Sequence, residues 1–371
     1  MPRLIALVAL AIGLCSFGFG PPAIADTDAQ QVPLYPSQVT AMPAVRPPAV
    51  EGEAWALIDA SSGEMVAGVN AHERLRPAST TKIATAIVAL EQGRLDDVVR
   101  VDVDSRQMAD DSVMGLVPGE VLTLRDLLYG LMLPSGNDAA LAIARHVGGS
   151  EQRFVALMNA KAAELGLRDT HFVNPHGRDA DDHYVSAYDL ARLGRYAMQN
   201  PEFVAIVTAR TYKAEGAIKT YELQNHNPLF DRYEGVDGIK TGYDDAAGQT
   251  YVASATRAGH RVVLSLLRSP DRLADAVPLL DYFFETYVWR TVDLPANAAY
   301  SLSGPDGKAQ VLRLRSAQEV CVPTWQLPLL RLQVWLDDAA LRQPAADNPR
   351  LGFAGLYLGT RLLAEVPVYG H

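Results

Sequence analysis

Cysteine is almost absent, with only Cys15 and Cys321 in 371 residues. Cys15 falls in an N-terminal apolar stretch, so a chain shortened there keeps one cysteine and has no internal disulfide. Lysine is scarce too, six in all, and no run of five basic residues occurs. With 33 Lys+Arg against 43 Asp+Glu, a net charge of −10, there is little from which to build a phosphate-tracking surface, so nucleic acid is not an expected partner. Neither H-E-x-x-H nor G-x-S-x-G is present. His171, His176 and His183 lie near one another, but no two are four apart, so they read as loop histidines rather than metal ligands.

What is there is balanced: 49% hydrophobic, 20% charged and 8% aromatic residues describe an ordinary globular chain of two or three domains. Residues 1–25 read as an export signal. Arg3 supplies positive charge, Leu4 to Phe19 is uncharged, and Ala23-Ile24-Ala25 offers small residues for cleavage before Asp26. An uncleaved N-terminal anchor is the alternative. Residues 26–50 carry Pro33, Pro36, Pro43, Pro47 and Pro48 without apolar periodicity and read as an extended tether.

A first domain is expected over residues 51–288. Trp55 to Asp59 and Met65 to Val69, around Ser61-Ser62-Gly63, predict a hairpin. A helix apolar almost all round is expected from Ser79 to Leu90, with further helices over Leu124–Met132, Asp138–Val147, Ser150–Leu165 and Ser186–Met198. Gly238–Tyr243, Thr250–Thr256 and Arg261–Leu267 read as strands, and Asp271–Val288 as a helix kinked at Pro278. Residues 289–371 change to short alternating runs, such as Val311–Leu314 and Leu330–Val334, which predict a small β-rich second domain.

Three short motifs follow one another: Ser79-x-x-Lys82, Ser135-Gly136-Asn137 and Lys240-Thr241-Gly242, separated by 56 and then 105 residues. Ser79 and Lys82 share one face at the start of a buried helix, where backbone N–H groups without helical partners can donate to an oxyanion. Taken alone, Ser79 reads as a plain N-cap. Lys82 fits that picture less well, because a first-turn lysine opposes the helix dipole and here adjoins an apolar run. An apolar setting and a second cation, for which Lys240 is the candidate, favour a lysine that gives up its proton and acts as a base. Ser135-Gly136-Asn137 alone reads as a turn capping the next helix. Glycine on the Lys240-Thr241-Gly242 strand suits the close approach of a ligand backbone, with Lys and Thr able to hold a carboxylate.

Together these motifs resemble the active-site signature of the serine penicillin-binding proteins and serine β-lactamases. Four longer stretches bring residues 50–288 closest to the low-molecular-mass D-alanyl-D-alanine carboxypeptidases: Arg76-Pro77-Ala78-Ser79-Thr80-Thr81-Lys82, Pro134-Ser135-Gly136-Asn137-Asp138-Ala139-Ala140, Asn174-Pro175-His176-Gly177 and Val236-Asp237-Gly238-Ile239-Lys240-Thr241-Gly242. The resemblance implies an α+β fold, an antiparallel sheet flanked by helices plus a helical cluster, followed by the β-rich domain. It implies Ser79 as acyl-ester nucleophile, Lys82 as general base, and Ser135 as proton relay with Asn137. Lys240, Thr241 and Gly242 would bind substrate, and the backbone N–H groups of Ser79 and Tyr243 would form the oxyanion hole. The implied partners are peptidoglycan stem peptides, with β-lactam antibiotics as covalent inhibitors; no cofactor and no metal are implied. Two positions depart from the family pattern: Arg178 where leucine is usual and Asp244 where threonine is common. Arg272 reads as a surface salt-bridge residue, with carboxylate binding as the alternative.

Rival readings are narrower. A class A β-lactamase needs E-x-x-L-N, and Leu165 to Asn174 contains no such glutamate. A DD-endopeptidase and a non-catalytic wall-binding protein retaining the cleft are the remaining alternatives. At the C-terminus, Gly352, Gly355, Gly359 and Pro367 oppose an amphipathic helix, and Arg361 to Val368 reads as a final strand. After signal cleavage the chain is therefore expected free in the periplasm or cell-wall space, without a tight membrane anchor.

Overall fold

The computed structural model describes residues 3–8, 44–108, 112–292, 301–303, 309–314, 318–337 and 350–370. The chain divides into two compact units: one is Pro47–Glu285, and the other holds β1 (Arg3–Val8) and the chain from Thr286 onward.

In the larger unit β2 (Ala54–Asp59) and β3 (Met65–Val69) pair as a hairpin. Its turn is closed by the Asp59 carboxylate, which accepts from the Ser61 and Ser62 hydroxyls at 2.6 and 2.7 Å. A 3-10 turn, Ala78–Thr81, leads into α1 (Lys82–Gln92), buried at every residue from Lys82 to Ala89. Being apolar on all sides, α1 threads the core. Packed around it are α2 (Leu124–Met132), α3 (Asn137–Gly148), α4 (Glu151–Glu164), α5 (Ala187–Ala197) and α6 (Pro201–Thr208). A ribbon of β4 (Val98–Arg100) and β5 (Val121–Thr123) precedes α2, and a hairpin of β6 (Thr211–Glu215) and β7 (Thr220–Gln224) follows α6.

Three long strands, β8 (Val236–Asp244), β9 (Gly248–Arg257) and β10 (His260–Ser269), complete an antiparallel sheet in the order β3-β2-β10-β9-β8. Residues 250–255 of β9 and 262–267 of β10 are buried without alternation, so both faces are covered, one of them by α5. α7 (Arg272–Thr286) follows and runs on through Pro278.

Several elements depart from the sequence reading. The helix expected from Ser79 opens as the 3-10 turn, and regular α-helix begins only at Lys82. α7 stops at Thr286 because Tyr287 and Val288 pair with Pro323 and Val322 in a strand. α6 and the β6–β7 hairpin are additional to the elements read from the sequence. Their signals were present: Asn200 caps Pro201 at the first helical position, and buried Ala214, Tyr221 and Leu223 alternate with exposed neighbours.

In the smaller unit β11 (Tyr287–Val292) pairs with β14 (Gln318–Pro323). A six-stranded antiparallel sheet takes β12 (Ser301–Ser303), β13 (Ala309–Leu314), β15 (Leu330–Leu336), β16 (Arg350–Leu358) and β17 (Arg361–Gly370) in the order β1-β15-β16-β17-β13-β12. Leu330, Leu332, Val334 and Leu336 alternate into its core against Leu356, Val366 and Val368. Arg3–Val8, from the stretch read as an export signal, is the edge strand beside Leu330–Leu336. The remainder of that stretch and the tether up to residue 43 lie outside the described residues. Among the described residues no helix is long and apolar enough to cross a membrane.

Candidate active site

The Ser79 turn is fixed from two sides. Pro77 O accepts Thr80 Oγ1 at 2.6 Å within the turn and Thr250 Oγ1 at 2.9 Å from β9. One turn on, Lys82 is fully buried, and its Nζ donates to Ser79 Oγ at 2.9 Å, Asn137 Oδ1 at 2.6 Å and the His176 carbonyl at 2.7 Å. That carbonyl is aimed by a compact turn, in which Asn174 Oδ1 accepts the amides of His176 and Gly177 and its Nδ2 donates to Arg178 O. Gly177, at φ +91°, lies against the Ala78 carbonyl so closely that any Cβ there would overlap it.

Ser135 follows α2 with φ +67°, and its Oγ is buried without a hydrogen-bond partner among the described residues. The turn is anchored by Gly136 N to Gly130 O at 2.9 Å and Asn137 N to Ser112 O at 2.8 Å. The fully buried Asp138 carboxylate accepts four backbone amides, those of Met114, Gly115, Leu116 and Ala139, and so ties the 112–116 loop to this turn.

The third wall is β8. A Cβ at Gly242 would overlap Thr250 Oγ1 and stand 2.8 Å from the Ser79 amide nitrogen, so only glycine lets the strand lie this close to the serine. Lys240 is 2% exposed and donates to Thr241 O at 2.8 Å. Burial, reinforced by the charge of Arg272, pushes its ammonium down to about 7. The charge set against Lys240 is thus Arg272, whereas the sequence reading paired Lys240 with Lys82.

Six of the eight residues singled out, Ser79, Ser135, Asn137, Thr241, Gly242 and Tyr243, line one cleft of about 920 Å³, and Lys82 and Lys240 are buried beside their motif partners. The structure adds His176, Arg178, His226 and Arg272 to that lining. Arg272 corrects its sequence reading: among the described residues it has no ion pair, and Gln249 Oε1 accepts its Nε at 2.7 Å, holding the guanidinium at the cleft. Asp244 closes the β8–β9 turn, its Oδ1 accepting the amides of Ala246 and Ala247 at 3.0 and 2.7 Å, which accounts locally for the carboxylate.

The three neighbouring histidines separate. His183, buried between Thr81 Oγ1 and the Val173 amide, is pushed down to about 4 chiefly by burial. His176 is pushed down to about 3, first by burial and then by Lys82 and Arg178. His171 lies outside the cleft lining, with Asp182 O at 2.6 Å from its Nδ1. Among the described residues no cluster of three or more His, Cys, Asp or Glu could hold a metal ion.

An antiparallel sheet beside a helical cluster, with a serine, a buried lysine and a K-T-G strand meeting in one cleft, defines the class as a penicillin-binding-protein fold. Residues 41–270 match the model of the S11 peptidase family, described as D-alanyl-D-alanine carboxypeptidase. The chain is 31% identical over 99% of its length to the D-alanyl-D-alanine carboxypeptidase DacF of Bacillus subtilis, covering 93% of that protein. It is 39% identical to DacB2 of Mycobacterium tuberculosis over 61% of this chain and 78% of that one. Penicillin-binding protein 5 from Haemophilus influenzae superimposes with a TM-score of 0.70 at 28% identity, over 88% of this chain and 98% of that one. The chain belongs to the D-alanyl-D-alanine carboxypeptidase family of serine peptidases.

Proposed function

We propose that this protein removes the terminal D-alanine from peptidoglycan stem pentapeptides through an acyl-enzyme on Ser79. The observation that carries this reading is the set of acceptors around Lys82. In its neutral form the amine has two N–H bonds and one lone pair. Asn137 Oδ1 and the His176 carbonyl can only accept, so they take the two N–H bonds. The lone pair then faces Ser79, the one partner of the three with a proton to give, across 2.9 Å. Ser79 Oγ attacks the carbonyl between the two D-alanines as Lys82 takes its proton. The oxyanion is met by the amides of Ser79 and Tyr243, and Ser135 passes the proton to the departing amine. Water then cleaves the ester. Lys240 and Thr241 hold the terminal carboxylate, and the cleft-lining guanidinium of Arg272 adds charge at that end.

The same reading makes β-lactams covalent inhibitors at Ser79. It also makes the protein an exported one, cleaved after Ala25 and tethered by residues 26–50. Fluorescent penicillin should label Ser79 and fail to label Ser79→Ala, and purified wall peptides should yield free D-alanine. Split cross-links without free D-alanine would make it an endopeptidase, and labelling without turnover a binding protein. Sequencing the mature N-terminus checks for Asp26.

A further inference from the structure

His226 is not part of any of the three motifs, yet it lines the cleft with Ser135 and Thr241. Its loop is clamped on both sides. Asn225 Nδ2 donates to Val207 O and Ala209 O at 3.1 and 2.9 Å. Asn227 Nδ2 donates to Gly238 O at 3.1 Å, while its Oδ1 accepts Tyr251 Oη at 2.5 Å and the Leu229 amide at 3.1 Å. The His226 amide itself donates to Leu133 O at 3.3 Å, two residues before Ser135. Two bonded asparagines thus hold the backbone while the ring between them is exposed to the cleft. Neither ring nitrogen has a hydrogen-bond partner among the described residues, so the exposed ring is free to meet a ligand in the cleft.

We propose that His226 is a further specificity-determining residue, an imidazole that hydrogen-bonds the carboxylate end of the peptide beside Lys240 and Thr241. The inference rests on the carboxypeptidase reading and deepens it. Burial and then Lys240 hold the ring below its usual range, so it meets ligand mainly as a neutral donor near neutral pH. The other charged or titratable groups lining this cleft are His176, Arg178 and Arg272 on the basic side and Asp179, Asp244, Asp245, Asp271 and the Tyr243 phenol on the other. An incoming carboxylate offsets the Lys240 charge and favours a protonated ring, so the contact strengthens as pH falls.

The test compares the native enzyme with His226→Ala and His226→Gln on a peptide ending in D-Ala-D-Ala and on its C-terminal amide, from pH 5.5 to 8. A hydrogen bond to a charged group is worth about ten- to a hundredfold. His226→Ala should therefore raise KM for the acid at least about tenfold, with kcat within about twofold. The amide should change little. His226→Gln should recover part of the KM while losing the improvement at low pH. An unchanged KM, equal losses on acid and amide, or a kcat defect alone would overturn the proposal. Should the native enzyme release no D-alanine at all, the carboxypeptidase reading fails first. His226 is then judged by acylation with penicillin and its methyl ester, where equal rates in native protein and His226→Ala overturn it and a loss confined to the acid supports it.

Discussion

Two lysines are buried at this cleft and are held in opposite ways. Lys82, at the start of α1, has three oxygen acceptors within 2.9 Å of its Nζ. Among the described residues Lys240, on β8, has one, the carbonyl of its own neighbour Thr241, and a guanidinium rather than a carboxylate nearby. A saturated amine keeps its place while a proton shifts along one of its bonds. An amine short of acceptors is a buried charge without an anion, and burial drives it toward neutrality until a ligand supplies one. The helix wall is thus built for proton transfer and the strand wall for capture of a carboxylate.

The severest way to break this comparison is Lys82→Ala. Acylation by fluorescent penicillin should fall about 10²–10⁴-fold while peptide still binds. Lys82→Arg should fail as well, because a guanidinium does not give up its proton. Near-native acylation of either variant at neutral pH would move the base elsewhere.

Next in size is Gly242→Ala, which tests whether the two walls must touch. The added Cβ meets Thr250 Oγ1 and comes within 2.8 Å of the Ser79 amide, so β8, the edge strand of its sheet, must move away. A displacement of about 1 Å costs on the order of 10²-fold in rate. Native acylation with the alanine in place would mean the close approach is incidental.

Lys240→Ala sharpens the strand side. KM for peptides with a free carboxylate should rise about ten- to a hundredfold, and amidated peptides should be affected less. The pH dependence has a definite sign. With Lys240 at about 7, its charge is present below that pH and lost above it, so the native KM should climb from pH 7 to 9. The variant should lose that climb. A native KM that stays level across the range removes Lys240 from carboxylate binding.

The two walls also differ in how far they could be read without a structure. Ser79 and Lys82 are three apart, and their contact follows from local geometry alone. So does the Asn200 cap ahead of Pro201, a local signal for the start of α6. The third acceptor of Lys82 is different, because a backbone carbonyl at His176 looks the same in every sequence, and only the folding of the Asn174 turn aims it. Arg272 looked like a surface residue because its partner, Gln249, is 23 positions away on β9. Legibility falls where the partner is distant in the chain, which is why the lysine–serine pair was plain and the carboxylate end of the cleft was incomplete.

The smallest expected effect serves as the control for all of these. Thr123 and Asp126 form a capping box at the start of α2: Thr123 Oγ1 accepts the Asp126 amide at 3.1 Å, and Asp126 Oδ2 accepts the Thr123 amide at 2.9 Å. Asp126 also accepts Tyr212 Oη at 2.8 Å, which ties β6 to the helix. None of the three lines the cleft. Thr123→Ala removes one side of the box and leaves Asp126 with its other two donors, so the loss should be about 1 kcal/mol. In a unit of this size that is roughly 2–4 °C in Tm. kcat and KM should stay native, because α2 keeps its length and the Ser135 turn keeps the bonds of Gly136 and Asn137. A kcat loss beyond about twofold at this small stability cost would mean that the start of α2 positions Ser135 at its end. The division between bonds that hold the fold and bonds that hold the chemistry would then need redrawing around α2.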